Sequence, residues 1–214
     1  MTFETLIAQK LLQINAIKLS PQNPFTWASG MRSPIYCDNR ITLSYPEVRS
    51  IIKNAFATIS VSFGETDIIA GVATAGISHG VLLADVLNLP FCYVRAAPKS
   101  HGRQNQIEGE IRPNSRILVV EDLISTGGSS IEVVNILRAE GHRVLGVMAI
   151  FDYGFEKAKE NFRNSSCKYL SLSNYNYLIN EALSTNYINQ TEETILKNWN
   201  SDPQNWYQNH FELK

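Results

Sequence analysis

Residues 116–130 read RILVVEDLISTGGSS. Four apolar residues, 117–120, make a buried strand that ends in two adjacent carboxylates, Glu121 and Asp122. Ser125, Thr126, Gly127, Gly128, Ser129 and Ser130 follow and lead directly into a helix carrying Ile131, Val134, Ile136 and Leu137. Glycines let the backbone turn its N–H groups inward, hydroxyls add donors, and a helix N-terminus carries partial positive charge, so the loop suits a phosphate monoester without any lysine. Carboxylates beside an anion site repel the ligand unless something neutral or cationic lies between them. A sugar ring fits: its phosphate sits in the loop, its hydroxyls donate to Glu121 and Asp122, and positive charge developing on the ring is stabilised by them. The plainer reading, a solvated strand end followed by an ordinary helix start, covers either half of the run but not the whole run in this order.

Two nucleotide motifs fail. GVATAGIS, residues 71–78, has the glycines and the final serine of a Walker A loop, but Ile77 replaces its lysine, and no G-x-G occurs anywhere in the chain. GVATAG still follows a strand and precedes a helix, which leaves a second backbone anion cradle or a tight turn as its two readings. Residues 95–112, RAAPKSHGRQNQIEGEIR, form an 18-residue polar connection carrying Arg95, Lys99, His101 and Arg103. A connection that long within a domain is usually functional or disordered. Beside a phosphate loop it reads as a basic flap that closes over a polyphosphate, excluding water and neutralising a leaving group. His79 and His142 read as structural or surface residues, and His210 carries no signal.

These loops need a frame. Phe3, Leu6, Ile7, Leu11 and Ile14 recur at helical spacing. Residues 18–40 are turn-rich, with extended patches at 25–27 and 35–37 that predict a small hairpin. Ser44 and Glu47 have capping-box spacing ahead of an apolar stripe from Val48 to Ile59. Apolar runs at 67–72, 91–95, 116–121, 143–151 and 168–172 alternate with helical patterns, clearest at 75–87 and 129–140, the second stopped by Gly141. This predicts an α/β fold with a mostly parallel sheet flanked by helices, and ligands beyond the carboxyl ends of the strands. The Asn-rich end predicts helices after Ser173 and over 191–199, packed through Trp199, Trp206 and Tyr207 on the body or on a second subunit.

Over 214 residues, 19 Lys plus Arg against 20 Asp plus Glu give a formal charge of −1. That removes the broad basic surface of a nucleic-acid or anionic-membrane binder, so any bound anion needs a local site. Cys37, Cys92 and Cys167 offer no C-x-x-C pair and read as reduced thiols. The longest apolar run, 144–151, is far short of the roughly 20 residues of a membrane span. The N-terminus lacks a signal-peptide layout, and the expected compartment is the cytoplasm.

VVEDLISTGGSS resembles the 5-phosphoribosyl 1-diphosphate (PRPP) signature of the type I phosphoribosyltransferases. FTWASGMRSPIYCDNR, residues 25–40, together with YVRAAPKSHG, resembles the orotate phosphoribosyltransferase family within them. The resemblance runs from about residue 19 to residue 152. It implies one phosphoribosyltransferase domain over 1–214, with a hood from about 1–45 and a C-terminal helical tail from about 173–214. It also implies a homodimer whose flap reaches the neighbouring site, and Mg²⁺-dependent transfer of ribose 5-phosphate from PRPP to orotate in pyrimidine synthesis. The ion is expected to ride on PRPP rather than on a direct protein site. By position, PRPP falls to Arg95, Lys99, His101, Glu121, Asp122, Leu123, Ile124, Ser125, Thr126, Gly127, Gly128 and Ser129, with Lys99, His101 and Asp122 catalytic. Ser125 takes the place of the hydroxyl that touches orotate. Ala28, Ala75 and Ala96 stand where many members carry basic residues, and Tyr153 where some carry an arginine that meets orotate; Arg32 is assigned to the orotate carboxylate in their stead. A purine-base phosphoribosyltransferase and a non-catalytic PRPP-sensing regulator are the rival readings.

Overall fold

The computed structural model describes residues 2–95 and 106–212. The chain opens with α1 (Phe3–Gln13), then four short strands, β1 (Ile17–Leu19), β2 (Phe25–Thr26), β3 (Arg32–Ser33) and β4 (Ile35–Cys37), and a 3-10 turn over Asn39–Ser44. α2 (Pro46–Ser60), β5 (Ile68–Val72), α3 (Ala75–Leu87), β6 (Phe91–Val94), β7 (Ile107–Glu108), β8 (Arg116–Ile124), α4 (Gly128–Ala139), β9 (Arg143–Asp152), α5 (Glu156–Asn164) and β10 (Tyr169–Asn174) follow. The chain ends in α6 (Tyr175–Ser184), α7 (Gln190–Ser201) and a π-turn at Gln208–Glu212.

The expected apolar runs pair as one sheet in the order β10-β9-β8-β5-β6-β7, parallel throughout except for the edge strand β7. All five residues of β5 are buried, as a strand covered on both faces requires. One face packs on α1, α2, the short N-terminal strands and the C-terminal helices through Leu11, Ile35, Phe56, Leu118, Met148 and Trp199. The other packs on α4 and α5 through Val119, Val134, Leu137, Val147 and Phe162. From β5 the chain moves outward to β6, whereas from β8 it moves the opposite way to β9 and β10, so the reversal lies between β5 and β8. A crevice opens beyond the carboxyl ends of strands at such a reversal. At the other end of the same two strands, Arg116 grips Asp67 through Nε (2.9 Å) and Nη2 (2.6 Å), which holds that carboxyl down at about 2.

Three local expectations are corrected. The N-terminal extended patches do not form one hairpin: β2 pairs with β3, and β4 pairs with β1 instead. The intervening Gly30, at φ 85°, belongs to the short turn closed by Gly30 N–H on the Trp27 carbonyl (2.8 Å). Ser44 does not cap α2. Pro46 occupies the first turn, where its missing N–H costs nothing, the N-cap is Tyr45, and Glu47 turns to Lys10 of α1 at 3.1 Å. Finally, the strand predicted to stop at Glu121 continues to Ile124, because β9 runs on beside it to Asp152 and supplies hydrogen-bonding partners. Both carboxylates therefore sit on rigid strand rather than in a loop. The tail packs on the body, with Trp199 fully buried in the first cluster.

Candidate active site

Glu121 and Asp122 lie at the mouth of the crevice, and consecutive strand positions send them different ways. Glu121 is 5% exposed; its Oε2 accepts from Ser129 Oγ (3.3 Å) and its Oε1 from the Asp122 N–H (2.9 Å). Asp122 is half-buried, within electrostatic reach of Asp38 and Arg40. Arg40 offsets the charge of Asp122 only from a distance, because its Nε and Nη2 hold Asp38 (2.7 and 2.9 Å). Burial and then the Asp122 charge push the Glu121 carboxyl well above its usual range, and burial raises Asp122 as well. A pair in this state gains from hydroxyl donors or a cation brought by a ligand.

Directly beyond, Gly127 takes a left-handed φ of 78° as N-cap of α4, with no side-chain cap. The first N–H groups of a helix have no intrahelical acceptor, and here no side chain takes their place, so they face the loop as donors. A side chain at Gly127 would run into the Phe162 ring, 2.7 Å from where its Cβ would stand. Ser130, the last hydroxyl of the run, has a buried Oγ without a hydrogen-bond partner among the described residues. The GVATAG turn flanks the same mouth: β5 and β8 are in register at Gly71 and Val120, and α3 starts so close to β8 that a Cβ on Gly76 would meet the Val120 carbonyl and lie 3.2 Å from Glu121 Cα.

Toward the N-terminal strands, Leu123 and Ser125 border a cavity of about 480 Å³ whose other walls are Thr26, Trp27, Ala28, Tyr36, Cys37 and Tyr153. Trp27 is fixed there by its indole N–H donating to the Ile35 carbonyl (3.0 Å). Aromatic walls with a few hydroxyls suit a flat heterocycle. Sequence reasoning did not find Trp27, Tyr36 and Cys37 as lining residues, because only the β1–β4 and β2–β3 pairings turn them toward Ser125. A second cavity of about 580 Å³ shares Ser125 and adds Thr126, Met31, Lys157 and Asn200.

The remaining assigned residues divide. Ile124 is fully buried, so only its backbone is available to a ligand. Arg95 contacts the Tyr93 hydroxyl (3.4 Å) and Glu108 (3.5 Å) at the root of the flap, where its N–H donates to the Gln106 carbonyl (2.9 Å). Lys99 and His101 lie outside the described residues. Arg32 donates to Thr26 Oγ1 (2.9 Å) and lies 4.8 Å from the centre of the Tyr207 ring; it lines neither cavity. Among the described residues no helix is long and apolar enough to cross a membrane.

A phosphoribosyl transferase domain model matches residues 40–182. The chain is 51% identical over 206 residues to an orotate phosphoribosyltransferase of Porphyromonas gingivalis, covering 96% of this chain and 98% of that one. It is 52% identical to that of Phocaeicola vulgatus, with 96% and 97% covered. The crystal structure of orotate phosphoribosyltransferase from Aeropyrum pernix superposes with a TM-score of 0.74 at 26% identity, over 86% of this chain and 99% of that one. The chain therefore belongs to the phosphoribosyl transferase domain family and, within it, to the orotate phosphoribosyltransferases.

Proposed function

We propose that this chain transfers ribose 5-phosphate from PRPP to orotate, giving orotidine 5′-monophosphate and diphosphate in pyrimidine biosynthesis. The observation that carries the reading is the shared edge at Ser125: one side is a donor-lined helix N-terminus beside two under-neutralised carboxylates, the other an aromatic slot. Ribose phosphate on the first side and a flat base on the second bring the anomeric carbon and the base nitrogen together over β8. Orientation then contributes much of the rate, and Glu121 and Asp122 favour positive charge on the ring as diphosphate leaves.

Mg²⁺ is the proposed cofactor, and a carboxylate pair that makes no ion pair among the described residues fits an ion carried in on PRPP. When bound, it neutralises the leaving diphosphate. Lys99 and His101 are proposed to close over that diphosphate, Arg95 to anchor the flap, and residues 121–129 to hold PRPP. Ser125 is proposed to meet orotate. The 2.9 Å bond to Thr26 and the Tyr207 ring occupy Arg32, so the role proposed for it at the orotate carboxylate requires it to leave them. A homodimer with shared sites, acting in the cytoplasm, completes the proposal.

Incubation with PRPP, Mg²⁺ and each of orotate, adenine, hypoxanthine and uracil, followed by base consumption, tests it. Orotate turnover alone supports the reading. Turnover of a purine, or of no base, overturns it in favour of a purine enzyme or a regulator.

A further inference from the structure

Tyr153 is held from three directions. Its N–H donates to the Ile124 carbonyl at the end of β8 (3.0 Å), and its carbonyl accepts from Asn200 Nδ2 at the end of α7 (2.8 Å). Its ring stacks on Phe155, with centroids 5.3 Å apart and planes 13° from parallel, and meets the edge of Trp199 at 5.8 Å. Trp199, fully buried, also touches Trp27 edge-on at 5.9 Å. Trp27 and Tyr153, whose ring centroids lie 5.5 Å apart, both line the 480 Å³ cavity, and α7 reaches the two of them through this cluster. The family match stops at residue 182, so α7 lies beyond it, yet this helix sets where both walls stand.

We propose that Asn200 is a positioning residue for the base slot, acting through Tyr153. Tyr153 is itself only 2% exposed, so its carbonyl has little access to water, and Asn200 supplies its hydrogen bond. Without that bond the carbonyl turns toward another donor and carries the ring with it. The width of the slot for a flat base then changes, whereas the helix N-terminus and carboxylates assigned to PRPP stay on β8 and α4. The other bond to Tyr153, from its N–H to Ile124, ties the residue to the end of β8 just past the last paired residues and leaves its carbonyl to Asn200. Asn200 also borders the 580 Å³ cavity with Ser125 and Thr126, so the same side chain stands beside the loop end of the site.

The inference rests on the proposed orotate transfer, and steady-state kinetics with both substrates varied separate the two. Asn200→Leu keeps the size of the side chain without its donor and adds no charge beside the phosphate loop; Asn200→Ala removes it. Both are expected to raise the orotate KM about fivefold, the weight of one hydrogen bond, with the PRPP KM changed by less than about twofold. Thr194→Gly, on the exposed side of α7, is the control: it weakens the helix and lowers Tm, and is expected to leave the ratio of the two KM values as in the wild type. An active wild type with an unchanged KM ratio in the Asn200 variants overturns this inference alone, as does an equal shift in Thr194→Gly. A wild type that consumes no orotate overturns the functional reading and this one with it.

Discussion

The side-chain amide of Asn39 donates to the backbone carbonyl of Asp122 at 2.7 Å, and Asn39 is fully buried. This bond fastens the N-terminal turn to the strand that carries the carboxylates. Asn39→Ala leaves the Asp122 carbonyl without its donor, which costs about 1–3 kcal/mol. At roughly 2–4 °C per kcal/mol for a chain of this size, calorimetry should show Tm lower by about 2–12 °C, with kcat reduced in the same variant. An unchanged Tm contradicts the assignment.

Glu121 gives a prediction of opposite sign. A carboxyl raised by burial binds more protons folded than unfolded between its ordinary value of 4.5 and its folded value, so its contribution to stability falls as pH rises through that window. Glu121→Gln removes the charge and keeps an acceptor for the Asp122 N–H. The ligand-free variant should be more stable than wild type at neutral pH, by about 1 kcal/mol, with the advantage fading in acid, while turnover falls at least tenfold. Urea titrations at several pH values check the first part and initial rates the second.

His79 sits in α3, 2% exposed, with Thr42 Oγ1 3.4 Å from its Nε2; burial pushes it down to about 4 from 6.5. The unfolded chain therefore binds the extra proton between pH 6.5 and 4, and stability supplied by the neutral ring is present above 6.5 and lost as pH falls through that interval. His79→Gln should flatten this acid limb by up to about 2–3 kcal/mol. A limb as steep as in the wild type rules the assignment out.

Gly76→Ala drives a methyl group into the Val120 carbonyl. α3 must move away from β8 at the level of Glu121, at a cost of about 1–3 kcal/mol. Gly128→Ala, at a position where the nearest atom to an added Cβ is Thr126 Oγ1 at 3.8 Å, should be nearly neutral in Tm. Comparing the two melting curves separates close approach from loss of a glycine as such.

The frame and the phosphate loop were legible because their signals are local. Strands buried on both faces show as continuous apolar runs, such as those of β5 and β8, and RILVVEDLISTGGSS carries strand, carboxylates, loop and helix start in one stretch. The base slot was not legible in that way. Trp27 and Tyr36 face Ser125 only because β2 pairs with β3 and β4 with β1, and strands of two or three residues carry no periodic pattern that distinguishes these pairings from a single hairpin. The hold of Asn200 on Tyr153 spans 47 positions in the chain and depends on where α7 docks, which neither residue's neighbours in sequence encode. Ser44 misled for a related reason: its spacing to Glu47 satisfies a capping box, but Pro46 starts the helix and Glu47 finds Lys10.

The central claim is tested most directly by product stoichiometry. With purified chain, PRPP, Mg²⁺ and orotate, orotidine 5′-monophosphate and diphosphate should appear in equal amounts, matching the orotate consumed, and Asp122→Asn should slow both equally. Diphosphate released without the nucleotide, or no loss of orotate, would contradict it.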